Sequence, residues 1–339
     1  MAPGSLAAGP PEGGSTLPAL LYLSRGDVEE LGIAVADIIR DLEAAFAAKG
    51  RGEVEMPPKP GIHPRPDAFI HAMPAYLRSG DVAGLKWIAG YPDNPAHGLP
   101  YISGLLILND AGTGIPLAVM DATWITAVRT GAATAVAAKY LARPDATRLG
   151  MIGCGVQGRS NLDALVAVQP RLAEVLAYDI NPAAAQAYAE YARARHDLPV
   201  TVCRTPEDAV READIVVTAT PIRRHPTPVI AAAWLRAGVF LCTLDFDSAV
   251  TPEAFAAADL LCSDDVAQLD HYREEGYFGG VPARVIDLGA VVAGRTPGRP
   301  DAAARIISIH LGLALADVVT ARRIYESAWA AGAGRELEL

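Results

Sequence analysis

The residues best suited to chemistry lie in a glycine-rich stretch, Gly153-x-Gly155-x-x-Gly158, which follows a short apolar run. This spacing is typical of a strand-to-helix turn that holds the pyrophosphate of a dinucleotide. Gly153 permits the tight turn, Gly155 lets the backbone approach the phosphates, and Gly158 lets the helix pack on the strand. The helix that starts at Val156 and Gln157 offers free N–H groups and a partial positive charge to the anion.

An acidic residue indicates which dinucleotide the turn would take. Asp179 stands about 20 residues after the glycines, at the end of the next predicted strand, where an acid binds the ribose 2′-OH. Its carboxylate would repel a 2′-phosphate, and Ile180, Asn181 and Pro182 supply no cation. The sequence therefore predicts NAD in preference to NADP. A glycine-rich turn without a ligand is the alternative.

Two basic residues stand in apolar surroundings. Lys86 lies inside a strand-like run, and Arg129 lies near the junction of two predicted domains. A buried lysine is costly without a partner, so Lys86 needs either a nearby acid in a structural role or an anionic ligand. We interpret Lys86 as a cation for a substrate carboxylate or as a lysine of lowered pKa. Arg129 is suited to clamp a carboxylate with two hydrogen bonds, with a surface arginine as the alternative.

Polar residues also end two later predicted strands. The group Asp245-Phe246-Asp247-Ser248 follows the fifth strand, and Thr218 and Thr220 end the fourth. Ligands of open α/β sheets bind beyond the carboxyl ends of strands. We therefore predict that an acid of this group holds an amine or exchanges a proton, and that both threonines contact the cofactor. The alternatives for the acids are a solvated turn or a helix cap.

Composition bounds the classes of function. The chain has 339 residues, of which 51% are apolar and 20% charged, typical of a soluble globular protein of about two domains. The formal net charge of −10 argues against nucleic-acid or anionic-membrane binding. Apolar runs are too short for a membrane span. The widely spaced cysteines and the histidines show no metal-ligand spacing, so we expect no metal, reduced thiols and a cytoplasmic location.

The order of predicted elements gives an α/β fold with two domains. Residues 1–16, rich in Gly, Pro and Ala, are predicted to be a flexible tail. Residues 17–128 and 303–339 are predicted to form an α+β substrate-binding and dimerisation domain with a mostly antiparallel sheet. Residues 129–302 alternate strands and helices, which predicts a Rossmann-type, doubly wound parallel sheet. A long last helix from about Ala302 to Ala331 is predicted to return to the first domain.

Several short motifs together resemble the ornithine cyclodeaminase/mu-crystallin family. The resemblance is strongest from Leu85 to Arg159 and weaker from about Leu17 to Gly334. The motifs are Lys86-Trp87, Pro92-Asp93-Asn94 with Gly98-Leu99-Pro100, Thr113-Gly114-x-Pro116, the run Ile125 to Ala133, and Gly153-x-Gly155-x-Gln157. The family combines a substrate and dimerisation domain with a dinucleotide-binding domain. The resemblance therefore implies hydride transfer at a carbon bearing an amine or imine, in a homodimer.

The resemblance also assigns roles. It implies that Lys86 and Arg129 bind the substrate carboxylate, and that Thr130 and Gln157 line the cofactor site. The catalytic acid/base falls on Asp247, six residues before Glu253 as in the family.

The chain departs from the family at three of the implied site positions. His71 stands where relatives that use ornithine carry a glutamate, Lys59 replaces an arginine, and His310 replaces a small hydroxyl residue at the cofactor site. A structural histidine is the simplest alternative for His71 and for His310.

Three functions follow from this resemblance. The leading one is an NAD-dependent imino-acid reductase or amino-acid dehydrogenase, with a dicarboxylate imine such as iminosuccinate as a candidate substrate for the cations Lys59, Lys86 and Arg129. The second is an ornithine cyclodeaminase-type lyase that recycles NAD. The third is a non-catalytic, mu-crystallin-like protein that binds a small ligand.

Overall fold

The computed structural model describes residues 19–339, so the predicted flexible tail lies outside the described residues. The first part of the chain contains β1 (Leu20–Leu23), α1 (Arg25–Glu30), α2 (Val35–Gly50), β2 (Val54–Glu55), β3 (Gly61–Ile62), β4 (Phe69–Leu77), β5 (Val82–Gly90), β6 (Ile102–Asp110), β7 (Pro116–Asp121) and α3 (Ala122–Leu141). Ser24 caps α1 by accepting a hydrogen bond from the backbone N–H of Asp27, so α1 begins where the sequence offers a side-chain cap.

The second part of the chain alternates strands with helices. It contains β8 (Arg148–Ile152), α4 (Val156–Val168), β9 (Glu174–Tyr178), α5 (Pro182–His196), β10 (Val200–Val202), α6 (Pro206–Val210), β11 (Ile215–Thr218), β12 (Phe240–Thr243), α7 (Pro252–Ala256), β13 (Leu260–Ser263), α8 (Val266–Glu274), β14 (Ile286–Asp287), α9 (Leu288–Val292), β15 (Ile306–Ile309), α10 (Ala314–Ala331) and β16 (Arg335–Leu337).

The strands form two separate sheets. The first has the order β16-β1-β7-β6-β5-β4-β2, with β3 beside β4, and is antiparallel except where β1 pairs with β7. The second has the order β10-β9-β8-β11-β12-β15-β13-β14, and all its pairs are parallel. Its strand order reverses between β8 and β11, the position where doubly wound sheets bind ligands. The predicted fold class is confirmed.

One prediction about the end of the chain is wrong. The helix expected from about Ala302 begins at Ala314, and the preceding residues form β15 between β12 and β13 in the second sheet. The β15 side chains are fully buried, and a strand covered on both faces shows a continuous apolar run that a helix shows equally well. The predicted domain boundary at 302/303 is wrong for the same reason. We place the return of the chain to the first sheet after Ile309.

Helix α3 joins the two sheets in the packing. Its first turns pack in a core beneath the first sheet that includes Ile125 and part of α10, and its later turns pack against α2 and α4. A Cβ added at Gly131 would lie 2.2 Å from the backbone oxygen of Ser160, so only glycine allows α3 and α4 to approach this closely. Among residues 19–339, no helix combines the length and apolarity needed to cross a membrane.

Candidate active site

The glycine-rich turn has the geometry expected of a phosphate-binding turn. Gly153 has a φ of 95°, and a Cβ there would lie 2.5 Å from the backbone oxygen of Ala219, so the turn packs tightly against the segment after β11. Gly155 precedes α4 without a side-chain cap, and a Cβ there would meet open space. A Cβ at Gly158 would lie 2.5 Å from the oxygen of Gly153, while Val156 is 67% exposed. The uncapped N–H groups beside open space fit a bound pyrophosphate.

Asp179 lies against this turn, directly after β9. One carboxylate oxygen accepts a hydrogen bond from the backbone N–H of Cys154 at 2.8 Å, and the other accepts from the N–H of Asn181 at 2.8 Å. The carboxylate is partly exposed. Its place at the end of β9 fits the predicted contact with a ribose hydroxyl.

Thr126 connects the turn to the predicted substrate residues. Its backbone oxygen accepts from Gln157 Nε2 at 3.3 Å and from Thr130 Oγ1 at 2.7 Å, and its own hydroxyl accepts from Lys86 Nζ at 3.2 Å. One turn of α3 therefore contacts both the helix that follows the glycines and the buried lysine. Sequence reasoning missed Thr126, although it lies inside the Ile125 to Ala133 motif.

The two predicted carboxylate-binding cations share one acid. Lys86 Nζ and Arg129 Nε each lie 2.8 Å from the same oxygen of Asp317, on the first turn of α10. Lys86 is 1% exposed, Arg129 6% and Asp317 0%, and the second oxygen of Asp317 has no hydrogen-bond partner among the described residues. Two buried cations on one carboxylate leave an uncompensated positive charge, which an anionic ligand would neutralise.

Burial and neighbouring charge lower the pKa of Lys86 to about 7. Loss of water is the main cause and the Arg129 guanidinium adds to it, while the Asp317 carboxylate opposes the fall. Within residues 19–339, the two Nη atoms of Arg129 donate no hydrogen bond to another side chain or backbone group, so the fork of the guanidinium remains available to a ligand.

Lys59 is the third cation of the cluster that it forms with Lys86 and Arg129. Its ammonium donates to the backbone oxygens of Leu311 and Gly312, and it lies 5.9 Å from the centre of the Phe246 ring. Burial, together with Arg129, lowers the pKa of Lys59 to about 8. A Cβ at Gly312 would lie 3.0 Å from Arg129 Nη1, so both cations meet at this residue.

Asp264 is a buried acid that binds the backbone segment contacted by Lys59. Asp264 accepts from the N–H groups of Leu311 and Gly312, and burial raises its pKa to about 6 against the effect of these bonds. Lys59, Lys86 and Arg129 thus face the carboxylates of Asp264 and Asp317, and one positive charge remains in excess. Sequence reasoning missed Asp264, although it directly follows β13 as the acids of the Asp245 group follow β12.

The two histidines at positions of family departure lie in different surroundings. His71 stacks on Phe69 with ring centres 4.3 Å apart, and burial, with the nearby Lys59 charge, lowers its pKa to about 3. His310 is 4% exposed and lies 3.0 Å from the Ser308 hydroxyl. Burial and the Arg129 charge lower the pKa of His310 to about 3. Both side chains are therefore neutral at pH 7.

The structure corrects the prediction for Thr218. Its side chain is fully buried, and its hydroxyl donates to Asp245 at 2.6 Å. The side chain therefore binds Asp245 and is not accessible to a ligand. Thr220 is partly exposed and also donates to Asp245.

Asp247 lies on the loop after β12, two residues beyond Asp245. One of its oxygens accepts from the backbone N–H of Phe278 at 2.8 Å, and the other is buried without a partner. The side chain lines a small pocket with Pro226, Pro228 and Pro252. In the part of the chain that the structure describes, no hydrogen bond or ion pair joins Asp247 to Lys86 or Arg129.

Asp317 is the functional residue for which the sequence did carry a signal. A buried lysine requires an acid, and Asp317 is the lone charge in the apolar run from Leu311 to Val319. Clusters of His, Cys, Asp and Glu able to hold a metal ion do not occur within residues 19–339.

Comparisons with known proteins identify the family of the chain. The model of the ornithine cyclodeaminase/mu-crystallin family matches residues 21–332. Thermococcus litoralis Δ1-pyrroline-2-carboxylate reductase, solved with NADH and L-proline, is 32% identical with a TM-score of 0.84, covering 94% of this chain and 100% of that one. An archaeal alanine dehydrogenase dimer with bound NAD is 34% identical with a TM-score of 0.84, covering 95% and 100%.

A third solved structure resembles the chain at lower identity. The iminosuccinate reductase of Paracoccus denitrificans, in complex with NAD+, is 27% identical with a TM-score of 0.82, and the match covers 95% of this chain and 100% of that one. The family match spans nearly the whole chain, including both sheets apart from Leu20 and β16. The chain belongs to the ornithine cyclodeaminase/mu-crystallin family.

Proposed function

We propose that the protein is an NAD-dependent oxidoreductase that acts on the C=N or CH–NH bond of a small imino or amino acid. The observation that carries the proposal is the position of Thr126, which contacts both Lys86 and Gln157. Through it, a cationic cluster with excess positive charge adjoins a turn that fits a dinucleotide. The solved relatives bind NADH or NAD, which supports the choice of cofactor.

The residues divide the chemistry between them. In the reductive direction the bound nicotinamide supplies a hydride to the C=N carbon. The fork of Arg129 and the Lys86 ammonium hold the substrate carboxylate, which fixes the orientation of the reacting carbon. Lys86 holds the carboxylate in its protonated form, and its pKa, lowered to about 7, restricts that form to neutral and acid pH. Asp247 protonates or orients the nitrogen from the loop after β12.

The substrate side chain is proposed to be small and uncharged or acidic. His71 is neutral and stands where relatives that use ornithine carry a glutamate, so the site lacks the charge that would receive a distal amine. Lys59, a third cation beside Lys86 and Arg129, keeps one N–H that Leu311 and Gly312 do not use, and we assign it to a second carboxylate. Iminosuccinate is therefore the first candidate, as the substrate named for the Paracoccus denitrificans relative.

A substrate panel tests the proposal. α-Keto acids, including oxaloacetate, glyoxylate and pyruvate, are mixed with ammonia or methylamine, and NADH oxidation is followed by absorbance. We expect net oxidation of NADH with at least one pair. Ammonia release from ornithine without net change in NADH would instead assign the cyclodeaminase reaction. Ligand binding without turnover in every arm would assign the non-catalytic role.

The outer face of the first sheet is proposed to join two copies of the chain. Trp87 and Leu105 are opposite residues on β5 and β6, and each is 48% exposed. An exposed apolar pair on a wide sheet is typical of an interface, and the archaeal relative is a dimer. Trp87→Lys should yield monomers by light scattering, whereas Ile180→Lys, at a residue 91% exposed, should leave a dimer. A dimer in both variants would contradict this interface.

A further inference from the structure

A buried carboxylate organises the carboxyl ends of β11 and β12. Asp245 is fully buried and accepts three hydrogen bonds, from Thr218 Oγ1 at 2.6 Å, from Thr220 Oγ1 at 2.6 Å and from the Thr220 N–H at 3.0 Å. Burial raises the pKa of Asp245, and the three donors oppose the rise. Such a carboxylate with three donors fixes both the backbone and the hydroxyl of Thr220.

The direction of these hydrogen bonds limits what Thr220 can do next. A hydroxyl has one hydrogen to donate and two lone pairs to accept with. Three hydrogen-bond donors on Asp245 favour its ionised form. An ionised carboxylate only accepts, so the hydrogen of Thr220 Oγ1 is committed to Asp245. Toward any further partner, the Thr220 hydroxyl is therefore an acceptor.

Thr220 lies where a cofactor ring would be held. Its backbone nitrogen would lie 3.3 Å from a Cβ placed at Gly153, so the Thr220 segment packs directly on the phosphate-binding turn. The residue is partly exposed and follows β11, beside the point where the strand order reverses. The nicotinamide ring carries a carboxamide, whose N–H2 group donates and whose oxygen accepts.

We propose that Asp245 sets the Thr220 hydroxyl as an acceptor that receives the carboxamide N–H of the nicotinamide, and that this bond selects a carboxamide-bearing ring. Asp245 is a positioning residue in this scheme, and Thr220 contacts the cofactor. The inference rests on the NAD binding of the proposed function. It adds a specific donor–acceptor pair, and it explains why two threonines surround one buried acid.

The test compares two dinucleotides that differ in this group. In 3-acetylpyridine adenine dinucleotide a methyl replaces the amide nitrogen, so the ring keeps its acceptor and loses its donor. Dissociation constants are measured by titration calorimetry, without turnover. We expect the unmodified protein to bind NAD+ about tenfold more tightly than the acetyl analogue, the effect of one hydrogen bond.

Two variants separate the roles of Asp245 and Thr220. Thr220→Val removes the acceptor and should bring the ratio of the two dissociation constants close to one. Asp245→Ala removes the acceptor of the Thr220 hydrogen, which is then free to be donated to the ring, and should also reduce or reverse the ratio. Asp214→Ala is the matched control, because Asp214 is 5% exposed, precedes β11 at its other end and accepts from Thr147 and Arg148. It should keep the original ratio.

The outcomes distinguish the inference from the function beneath it. Equal binding of both dinucleotides by the unmodified protein overturns the inference and leaves NAD binding intact. An unchanged preference in Thr220→Val overturns it as well, even if Asp245→Ala does not fold. Failure of the unmodified protein to bind either dinucleotide overturns the proposed function and, with it, the inference.

Discussion

The two halves of the candidate site offer different physical means of binding a ligand. On the side of the second sheet, the glycine-rich turn offers backbone N–H groups and open space, both fixed by residues close together in the chain. On the side of the first sheet, Lys86 and Arg129 share Asp317, which lies 231 and 188 residues away from them. The first half depends on local geometry. The second depends on buried charge assembled over long distances, so it is the half more sensitive to substitution and to pH.

The largest effect should come from Asp247, the proposed acid/base. Asp247→Asn removes the proposed acid/base and should lower kcat by about 10²–10⁴-fold. The dissociation constant for NADH should stay unchanged, because the turn and Asp179 are intact. Steady-state kinetics and calorimetry measure the two quantities.

Asp259→Asn is the matched control for Asp247. Asp259 also accepts one backbone hydrogen bond, from the N–H of Arg305 at 2.8 Å, but it lies at the amino ends of the strands, whereas Asp247 lies beyond their carboxyl ends. If the Asp247 variant turned over as fast as this control, Asp247 would not be the acid/base.

The shared acid should dominate the stability of the charged half. Asp317→Asn leaves Lys86 and Arg129 buried without a counter-charge and should reduce the free energy of unfolding by about 3–5 kcal/mol. Asp41→Asn, which breaks the partly exposed ion pair of Asp41 with Arg323, should cost about 0–1 kcal/mol. Urea unfolding followed by circular dichroism measures the free energy of unfolding of both variants. Equal losses would show that Asp317 contributes no more to stability than a partly exposed ion pair does.

The charged half should also give the site its pH dependence. The pKa of Lys86 is lowered from 10.5 to about 7, so its side chain is half protonated at pH 7 and its charge is lost as the pH rises further. kcat/KM for imine reduction should therefore fall about tenfold per pH unit above pH 7. Stability should move the other way between pH 7 and 10.5, because there the unfolded chain holds the Lys86 proton that the folded chain has released.

A permanently charged side chain tests the assignment to Lys86. Lys86→Arg should shift the alkaline limb upward to the pKa of Lys59, which is lowered to about 8. Lys139→Arg, on the exposed ion pair with Glu43, should leave the limb at pH 7. An identical pH profile in all three proteins would exclude Lys86 as the titrating group.

The smallest effect on binding is expected for the glycine-rich turn and its neighbour Asp179. Asp179→Ser removes one partly exposed carboxylate and should reduce the preference for NAD over NADP by about tenfold, or 1.4 kcal/mol. Glu190→Ser, at an exposed acid of α5, should leave the preference unchanged. Unaltered affinities for both dinucleotides in the Asp179 variant would contradict the ribose contact.

The same contrast explains what could be predicted from the sequence. The parallel sheet follows from apolar runs between helices, and the turn follows from the spacing of Gly153, Gly155 and Gly158, because both signals are local. Lys86 and Arg129 were found because charge in an apolar segment requires a reason.

What could not be predicted depends on contacts across the fold. Asp264 accepts from the backbone N–H groups of Leu311 and Gly312, and the carbonyl oxygens of the same two residues accept from Lys59. No spacing in the sequence predicts this indirect contact between Asp264 and Lys59. Thr218 has the right position at the end of its strand, but only the packing shows that its hydroxyl belongs to Asp245. β15 is buried on both faces, so its apolar run does not distinguish a strand from a helix.

The contact at Gly131 bears on how such a protein can change its substrate. Arg129 lies two residues before Gly131 on α3, and the glycine-rich turn leads into α4, which crosses α3 at that residue. The separation between Arg129 and the glycine-rich turn is therefore set by how closely the two helices cross. A single methyl group at Gly131 would push the helices apart, so this separation cannot change by small substitutions at the crossing. His71 and Lys59 lie outside the crossing, so under the proposed function they are the positions at which a new substrate could be accommodated.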